Sequence, residues 1–186
     1  MIRLYTSVFR TALGWAGIVV TDHGLAGIVL PRTGKRSATR EVMSDAARIL
    51  RGQVHRRRSD DRTRIIPVRR SVLAQKAKQA LRDYFSGRSV TFALPLDLRL
   101  STRFQRKVWK ATAEIAYGET RSYASIARRI GRPKSARAVG QALGANPLPV
   151  LIPCHRVVTS GGALGGFSGG RGMKKKLLHL ERQAGV

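Results

Sequence analysis

The sequence predicts an α/β chain of two domains, divided near residues 95–100. β-like apolar runs fill the first third, and helical periodicity dominates the second half. Between them lies VTFALPLDL (90–98), an extended stretch carrying a proline. A chain of 186 residues, 42% of them hydrophobic, can bury a real core and is not disordered. The expected domains are residues 1–96 and 97–186.

In the first domain RLYTSVF (3–9), GWAGIVVT (14–21) and LAGIVL (25–30) are strand-like. The second and third are separated by Asp22-His23-Gly24, a turn in which Gly24 can take positive φ. Residues 37–52 then space Val42, Ala46, Ile49 and Leu50 as a helix does, with Gly52 as the expected C-cap. QVHRRRSDDRTRIIPVRR (53–70) has dense charge, a proline and no period, and is expected to be an exposed loop. Its arginines could touch phosphate, although charge runs are ordinarily just solvated. A helix over 71–87 follows.

The second domain opens with STRFQRKVWKATAEIAYG (101–118), where Thr102 and Gln105 stand in capping-box spacing. Phe104, Val108, Trp109 and Ile115 share one face and are assigned to the core. Ser122 can cap a short helix ending at Gly131, and Ser135 a second one ending before Asn146-Pro147. Two short helices joined by a tight turn make a helix-turn-helix candidate. The second helix carries Ala136, Ala138, Gly140, Ala142, Gly144 and Ala145, with Arg137 as its main long projection. Each glycine lowers helix propensity by about 1 kcal/mol. Either close internal packing or close approach to a nucleic-acid backbone would offset that. Few polar side chains are available to read base edges, so a DNA-bound helix of this kind belongs in the minor groove.

With 36 Lys+Arg against 10 Asp+Glu, the net charge of +26 favours polyanionic partners, nucleic acid above all. The plainer alternative is an arginine-rich, solvated surface. No long amphipathic basic helix supports a membrane-surface role, and no apolar run reaches spanning length. The N-terminus lacks the regions of a secretory signal. One cysteine excludes an internal disulfide or a multi-thiolate metal site. The expected location is the cytoplasm, with nucleoid association in a bacterium.

That cysteine lies in PVLIPCHRVVTSGG (149–162), between Pro153 and His155. A lone cysteine is more often inert core than nucleophile. Its apolar flanks suggest a buried strand end holding the sulfur rigidly, His155 offers a base near neutral pH, and the basic chain would favour a thiolate. Adjacent residues of an extended segment point to opposite faces, so His155 can serve Cys154 only through a turn or a bridging water. Glu181, one of very few acids in the second half, is a candidate to orient the imidazole. SGGALGGFSGGRG (160–172) matches neither a dinucleotide fingerprint nor a P-loop, and its glycines are expected to shape a pocket wall.

The ordered blocks FQRKVW (104–109), SYASIA (122–127), ARAVGQALGANP (136–147), IPCHRVV (152–158) and GFSGG (166–170) closely resemble the O6-alkylguanine-DNA alkyltransferases. These are also called methylated-DNA–protein-cysteine methyltransferases. The resemblance spans about residues 97–183. It implies a ribonuclease-H-like N-terminal domain and a winged-helix-like C-terminal domain with the helix-turn-helix. It also implies single-turnover transfer of the O6-alkyl group of guanine, and of O4-alkylthymine, from flipped bases in duplex DNA to Cys154.

In that scheme His155 deprotonates Cys154 through water and Glu181 orients His155. Tyr123 protonates the leaving base, and Lys174 lies near the departing oxygen. Arg137 fills the gap left by the base, beside Ser135, Ala136, Gly140 and Tyr123 at the DNA. Asn146 is the hinge. Leu143, Pro149, Leu164, Gly165, Gly166, Phe167 and Ser168 line the pocket. No cofactor, metal, membrane or obligate protein partner is implied. Many members have tyrosine where Phe167 stands, so a hydroxyl contact is missing here, and the metal of some relatives would need N-terminal cysteines that this chain lacks. Rival readings are a lesion-sensing relative without the acceptor thiol, a winged-helix regulator with a structural cysteine, and a thiol hydrolase.

Overall fold

A computed structural model describes residues 2–54, 63–67 and 71–183. The chain divides into two compact units, residues 1–100 and 101–186. The division therefore falls after Leu100 rather than after Leu96. Asp97 belongs to the first unit because its backbone N–H donates to Leu25 O at 2.8 Å and its carboxylate accepts from Thr21 Oγ1 at 2.7 Å.

The first unit is a four-stranded sheet whose strands lie in the spatial order Gly24–Arg32, Gly14–Thr21, Ile2–Thr11, Thr63–Pro67, with helices packed on it. β1 (Ile2–Thr11) and β2 (Gly14–Thr21) pair antiparallel, and β2 pairs antiparallel with β3 (Gly24–Arg32). The 2.0-residue period of β1 puts Leu4 and Val8 on the face covered by α1 (Lys35–Val54). There Val19, Ala26, Val29, Val42, Ala46 and Ile49 complete a core cluster. Phe9 points the other way, where Arg82 of α2 (Val72–Phe85) stacks on its ring. Sandwiched between helices, β2 is buried from Ala16 to Thr21, which explains its unbroken apolar run.

Residues 53–70 are not simply a loop. α1 continues to Val54, and Thr63–Pro67 forms β4, an edge strand parallel to β1. Long-range pairing makes this strand, so its charged local sequence conceals it. The remainder of the expected loop, 55–62 and 68–70, lies outside the described residues. Gly52 is not a cap but a close-packing point, since a Cβ there would lie 2.8 Å from Leu100 Cδ1. The extended 90–98 stretch makes a single bridge, Leu25 with Leu96.

The second unit holds α3 (Arg103–Ala113), β5 (Arg121–Ser122), α4 (Tyr123–Arg129), α5 (Ala136–Gly144), β6 (Val157–Val158) and α6 (Arg171–Gln183). The Thr102/Gln105 capping box is formed in full. Val108, Trp109 and Ile115 are buried and Phe104 partly so. Trp109 donates Nε1–H to Ala142 O at 2.8 Å, tying α3 to α5. Ser122 caps α4 as expected, through Ser125 N. Ser135 does not cap α5 with its side chain. Its N–H is drawn into a turn onto Arg132 O, and its ψ of 25 is not the extended geometry of a side-chain cap.

Gly24 takes φ +146, and a Cβ there would lie 2.5 Å from Pro95 O. Gly24→Ala is expected to destabilise the chain by about 1–3 kcal/mol, read as a lower urea midpoint with unchanged slope.

Candidate active site

Cys154 is delivered by a tight, side-chain-stapled turn. After α5, Asn146 accepts from Leu148 N at 2.9 Å, and its Nδ2 donates to Ile152 O at 2.8 Å and to Cys154 Sγ at 3.1 Å. The loop so gathered holds Val150 at φ 79, a left-handed conformation that a β-branched residue adopts only under constraint. Val150 is nevertheless buried, and Ile152 N donates to Leu148 O at 2.9 Å to close the loop. Beyond Pro153 the chain does not run extended. Cys154–Arg156 forms one 3₁₀ turn, so Cys154 and His155 escape the opposite-face rule of a strand.

Behind the thiol sits a buried polar cluster. Glu181 of α6 accepts from Arg156 Nη2 on Oε1 and from Arg156 Nε on Oε2, both at 2.9 Å. Gly118 N donates to Oε2 at 3.1 Å, and His155 Nε2 lies 2.8 Å from Oε1. Arg156 Nη1 also donates to Ile115 O at 2.7 Å, and the guanidinium lies over the Tyr117 ring at 5.5 Å. With Nε2–H donated to the carboxylate, the basic lone pair of a neutral imidazole is on Nδ1.

Burial pushes the His155 imidazole below its ordinary 6.5, outweighing the Glu181 bond that raises it. Burial likewise pushes the Cys154 thiol up, outweighing the Asn146 N–H and the Lys174 ammonium. The resting sulfur is therefore a neutral thiol. The chain's net positive charge does not make it a thiolate, because desolvation of the sulfur is the larger effect.

Cys154 opens on a cavity of about 840 Å³ between α4, α5 and the glycine-rich loop. Leu143, Gly165, Gly166, Phe167 and Ser168 line it, whereas Pro149 and Leu164 do not. Tyr123, Ala136, Arg137 and Gly140 also line it, with Arg137 exposed; Ser135 stands outside. Tyr123 donates its hydroxyl to Gly166 O at 3.2 Å. Its ring lies 3.0 Å from where a Cβ on Gly165 would be, and Gly165 has φ +66, so this wall needs glycine twice over.

Lys174 is fully buried, donates to Val157 O at 2.5 Å and lies 5.8 Å from the Tyr123 ring centroid. Burial lowers its pKa to about 8, against the raising effect of Cys154. His155, Glu181 and Lys174 thus stand behind the cavity wall rather than in it. No local sequence pattern singles out Arg156, or Gln141, Thr159 and Ser160 on the cavity wall. For Arg156 a signal existed: a buried acid in so basic a unit requires a cationic partner. Among the described residues, no group of three His, Cys, Asp or Glu side chains could hold a metal ion.

Fold and site define an α/β protein organised around one cavity-lining cysteine. Residues 103–183 match the family model described as 6-O-methylguanine DNA methyltransferase, DNA binding domain. A constitutive methylated-DNA–protein-cysteine methyltransferase of Bacillus subtilis is 51% identical over 108 residues. That match covers 58% of this chain and 65% of the relative, just under two thirds of its length. A methylated-DNA–protein-cysteine methyltransferase of Methanosarcina barkeri is 48% identical over 110 residues, covering 58% of this chain and 67% of that one. The Mycobacterium tuberculosis OGT solved in complex with DNA superposes with a TM-score of 0.71 at 32% identity, covering 97% of this chain and 94% of that one. The chain belongs to the methylated-DNA–protein-cysteine methyltransferase family.

The depressed His155 pKa fixes a sign for acid stability. Below 6.5 the unfolded chain takes up a proton that the buried imidazole resists, so stability falls as pH drops through that value. The thermal midpoint is expected to fall between about pH 7.5 and 5.5, and His155→Gln to flatten this dependence.

Proposed function

We propose that this chain is a DNA-repair alkyltransferase. It moves the O6-alkyl group of a damaged guanine in duplex DNA onto Cys154 Sγ, once per molecule. The observation that carries this reading is the placement of the chain's sole thiol. It lies at the wall of an open cavity beside α5, backed by the buried His155–Glu181–Arg156 cluster.

The thiol proton passes through a bridging water to His155, whose positive charge the adjacent Glu181 carboxylate compensates. The thiolate forms only as it is needed, stabilised by the Asn146 N–H and the Lys174 ammonium. Sulfur attacks the alkyl carbon, the S–C bond forms and the C–O6 bond breaks, leaving its electron pair on the purine. Tyr123 releases Gly166 O and donates its proton to the departing base, with Lys174 close behind its ring. The group moves directly from base to protein, so the balance needs no cofactor. The product is a thioether, which water does not readily cleave, and the molecule is spent. O4-alkylthymine offers sulfur the same alkoxy carbon beside a ring nitrogen and falls within this reading.

O6 cannot reach Sγ while the base is stacked, so the nucleotide is flipped, at a cost of a few kcal/mol. Ala136 and Gly140 keep one side of α5 low enough to enter a minor groove, and Arg137 fills the vacated stack. The reading includes a ribonuclease-H-like first unit and a winged-helix-like second unit built on α4–turn–α5. It also includes action in the cytoplasm, at the nucleoid in a bacterium. Among the described residues no helix is long and apolar enough to cross a membrane.

The test is lesion counting with duplex DNA bearing O6-methylguanine. Removal is expected to stop at one lesion per chain. Arg137→Ala is expected to slow duplex repair by about tenfold or more while sparing reaction with free O6-benzylguanine, which needs no flipping. Continuing turnover would instead identify a hydrolase. Equal losses on both substrates would remove Arg137 from the flipping step.

A further inference from the structure

We infer that the first unit carries a second DNA-binding surface, a ridge of arginines on α1 that grips the phosphate backbone. The inference rests on the proposed function, which makes duplex DNA the partner.

The charge is not concentrated in the unit that matches the DNA-binding family model. Residues 1–100 carry 20 Lys and Arg against 7 Asp and Glu, and residues 101–186 carry 16 against 3. Each unit thus has a net +13, although among the described residues those lining the cavity all belong to the second. On α1 the charge is ordered. At 3.6 residues per turn Arg36, Arg40 and Arg51 fall within a sector of roughly 60°, spread over about 22 Å of helix. Val42, Ala46 and Ile49, which bind α1 to the sheet, lie on the opposite side.

All three arginines are exposed. The two acids of the helix are already engaged at its flank, Glu41 by Arg32 at 2.7 Å and Asp45 by Arg48 at 3.1 Å. Among the described residues no carboxylate pairs with Arg36, Arg40 or Arg51. At the N-terminal end Lys35 and Arg10 both lie over the Trp15 ring, at 5.3 and 5.7 Å, adding two cations beside the ridge.

Folding does not explain this pattern. Like charges four residues apart repel on a helix, and Lys35 and Arg36 stand in a first turn that has no acid, where the helix dipole disfavours cations. A rod of phosphates turns both features to advantage. The ridge has few hydrogen-bonding groups other than guanidinium, so it holds backbone without reading sequence.

The experiment measures affinity of the full chain for undamaged duplex DNA across a salt series, beside the triple variant Arg36→Ala/Arg40→Ala/Arg51→Ala. Each phosphate contact contributes about 0.9 to the log–log salt slope, so the variant should flatten it by about two to three. The variant should keep the wild-type rate with free O6-benzylguanine and a thermal midpoint no lower than wild type, since the arginines it removes repel one another on the helix. Lysine at the same three positions should restore most of the slope, since charge suffices.

A control, Arg3→Ala/Lys76→Ala/Arg88→Ala, removes equal charge elsewhere on the unit and should change the slope far less. An unchanged slope in the ridge variant, or an equal loss in the control, would overturn the ridge while leaving alkyl transfer standing. Loss of binding to anionic phosphatidylserine vesicles without change toward DNA would reassign it to a membrane. Absence of DNA binding by the unaltered chain would overturn the ridge and the proposed function together.

Discussion

The buried carboxylate of Glu181 is the constraint on which the reacting end depends. It reaches from α6 to two successive residues of the 3₁₀ turn, His155 and Arg156, and to the backbone N–H of Gly118. One ion therefore joins three stretches distant in sequence. Removing one partner of such a buried pair typically costs about 3–5 kcal/mol, because the survivor is left charged and unsolvated. Arg156 answers the charge twice and also holds Ile115 O. With Arg156 neutralising the acid, His155 can remain a neutral imidazole, the form able to accept a proton.

On the other side of the sulfur, Asn146 plays a complementary part. Its amide closes the 146–154 loop with three hydrogen bonds, one of them to Sγ itself. Val150 at φ 79 is the conformational cost of that closure, of the order of 1–3 kcal/mol for such a residue. Strain of this kind survives where the surroundings over-determine the backbone, and Val150 is buried beside the staple. The thiol is thus fixed at the cavity wall from both sides. Its reactivity comes from placement, since burial raises rather than lowers its pKa.

Local signals made much of this legible in the sequence. The β2–β3 hairpin, the Gly24 turn and the Thr102/Gln105 capping box each depend on a few neighbouring residues, and the sequence pattern and structure agree there. Elements made by distant partners were not legible. β4 exists through its parallel pairing with β1, and the side chain of Ser135 loses its capping role to a backbone turn from Arg132. The Lys174–Lys176 run looks like a solvated face. Yet Lys174, Leu177, Leu178 and Glu181 recur at helical spacing, and these four are buried. Cys154, His155 and Glu181 were identifiable as residue types. The 3₁₀ turn that arranges them was hidden behind an apparently extended run, and desolvation of the sulfur cannot be read from net charge.

The central claim is that Cys154 is the covalent acceptor of a DNA alkyl group. Intact-protein mass spectrometry after mixing with duplex DNA containing one O6-methylguanine tests it most directly. The account predicts a gain of about 14 Da, one methyl replacing the thiol hydrogen, confined to the peptide holding Cys154 and absent from Cys154→Ala. An unchanged mass despite tight DNA binding, or a methyl that persists in Cys154→Ala, would contradict it.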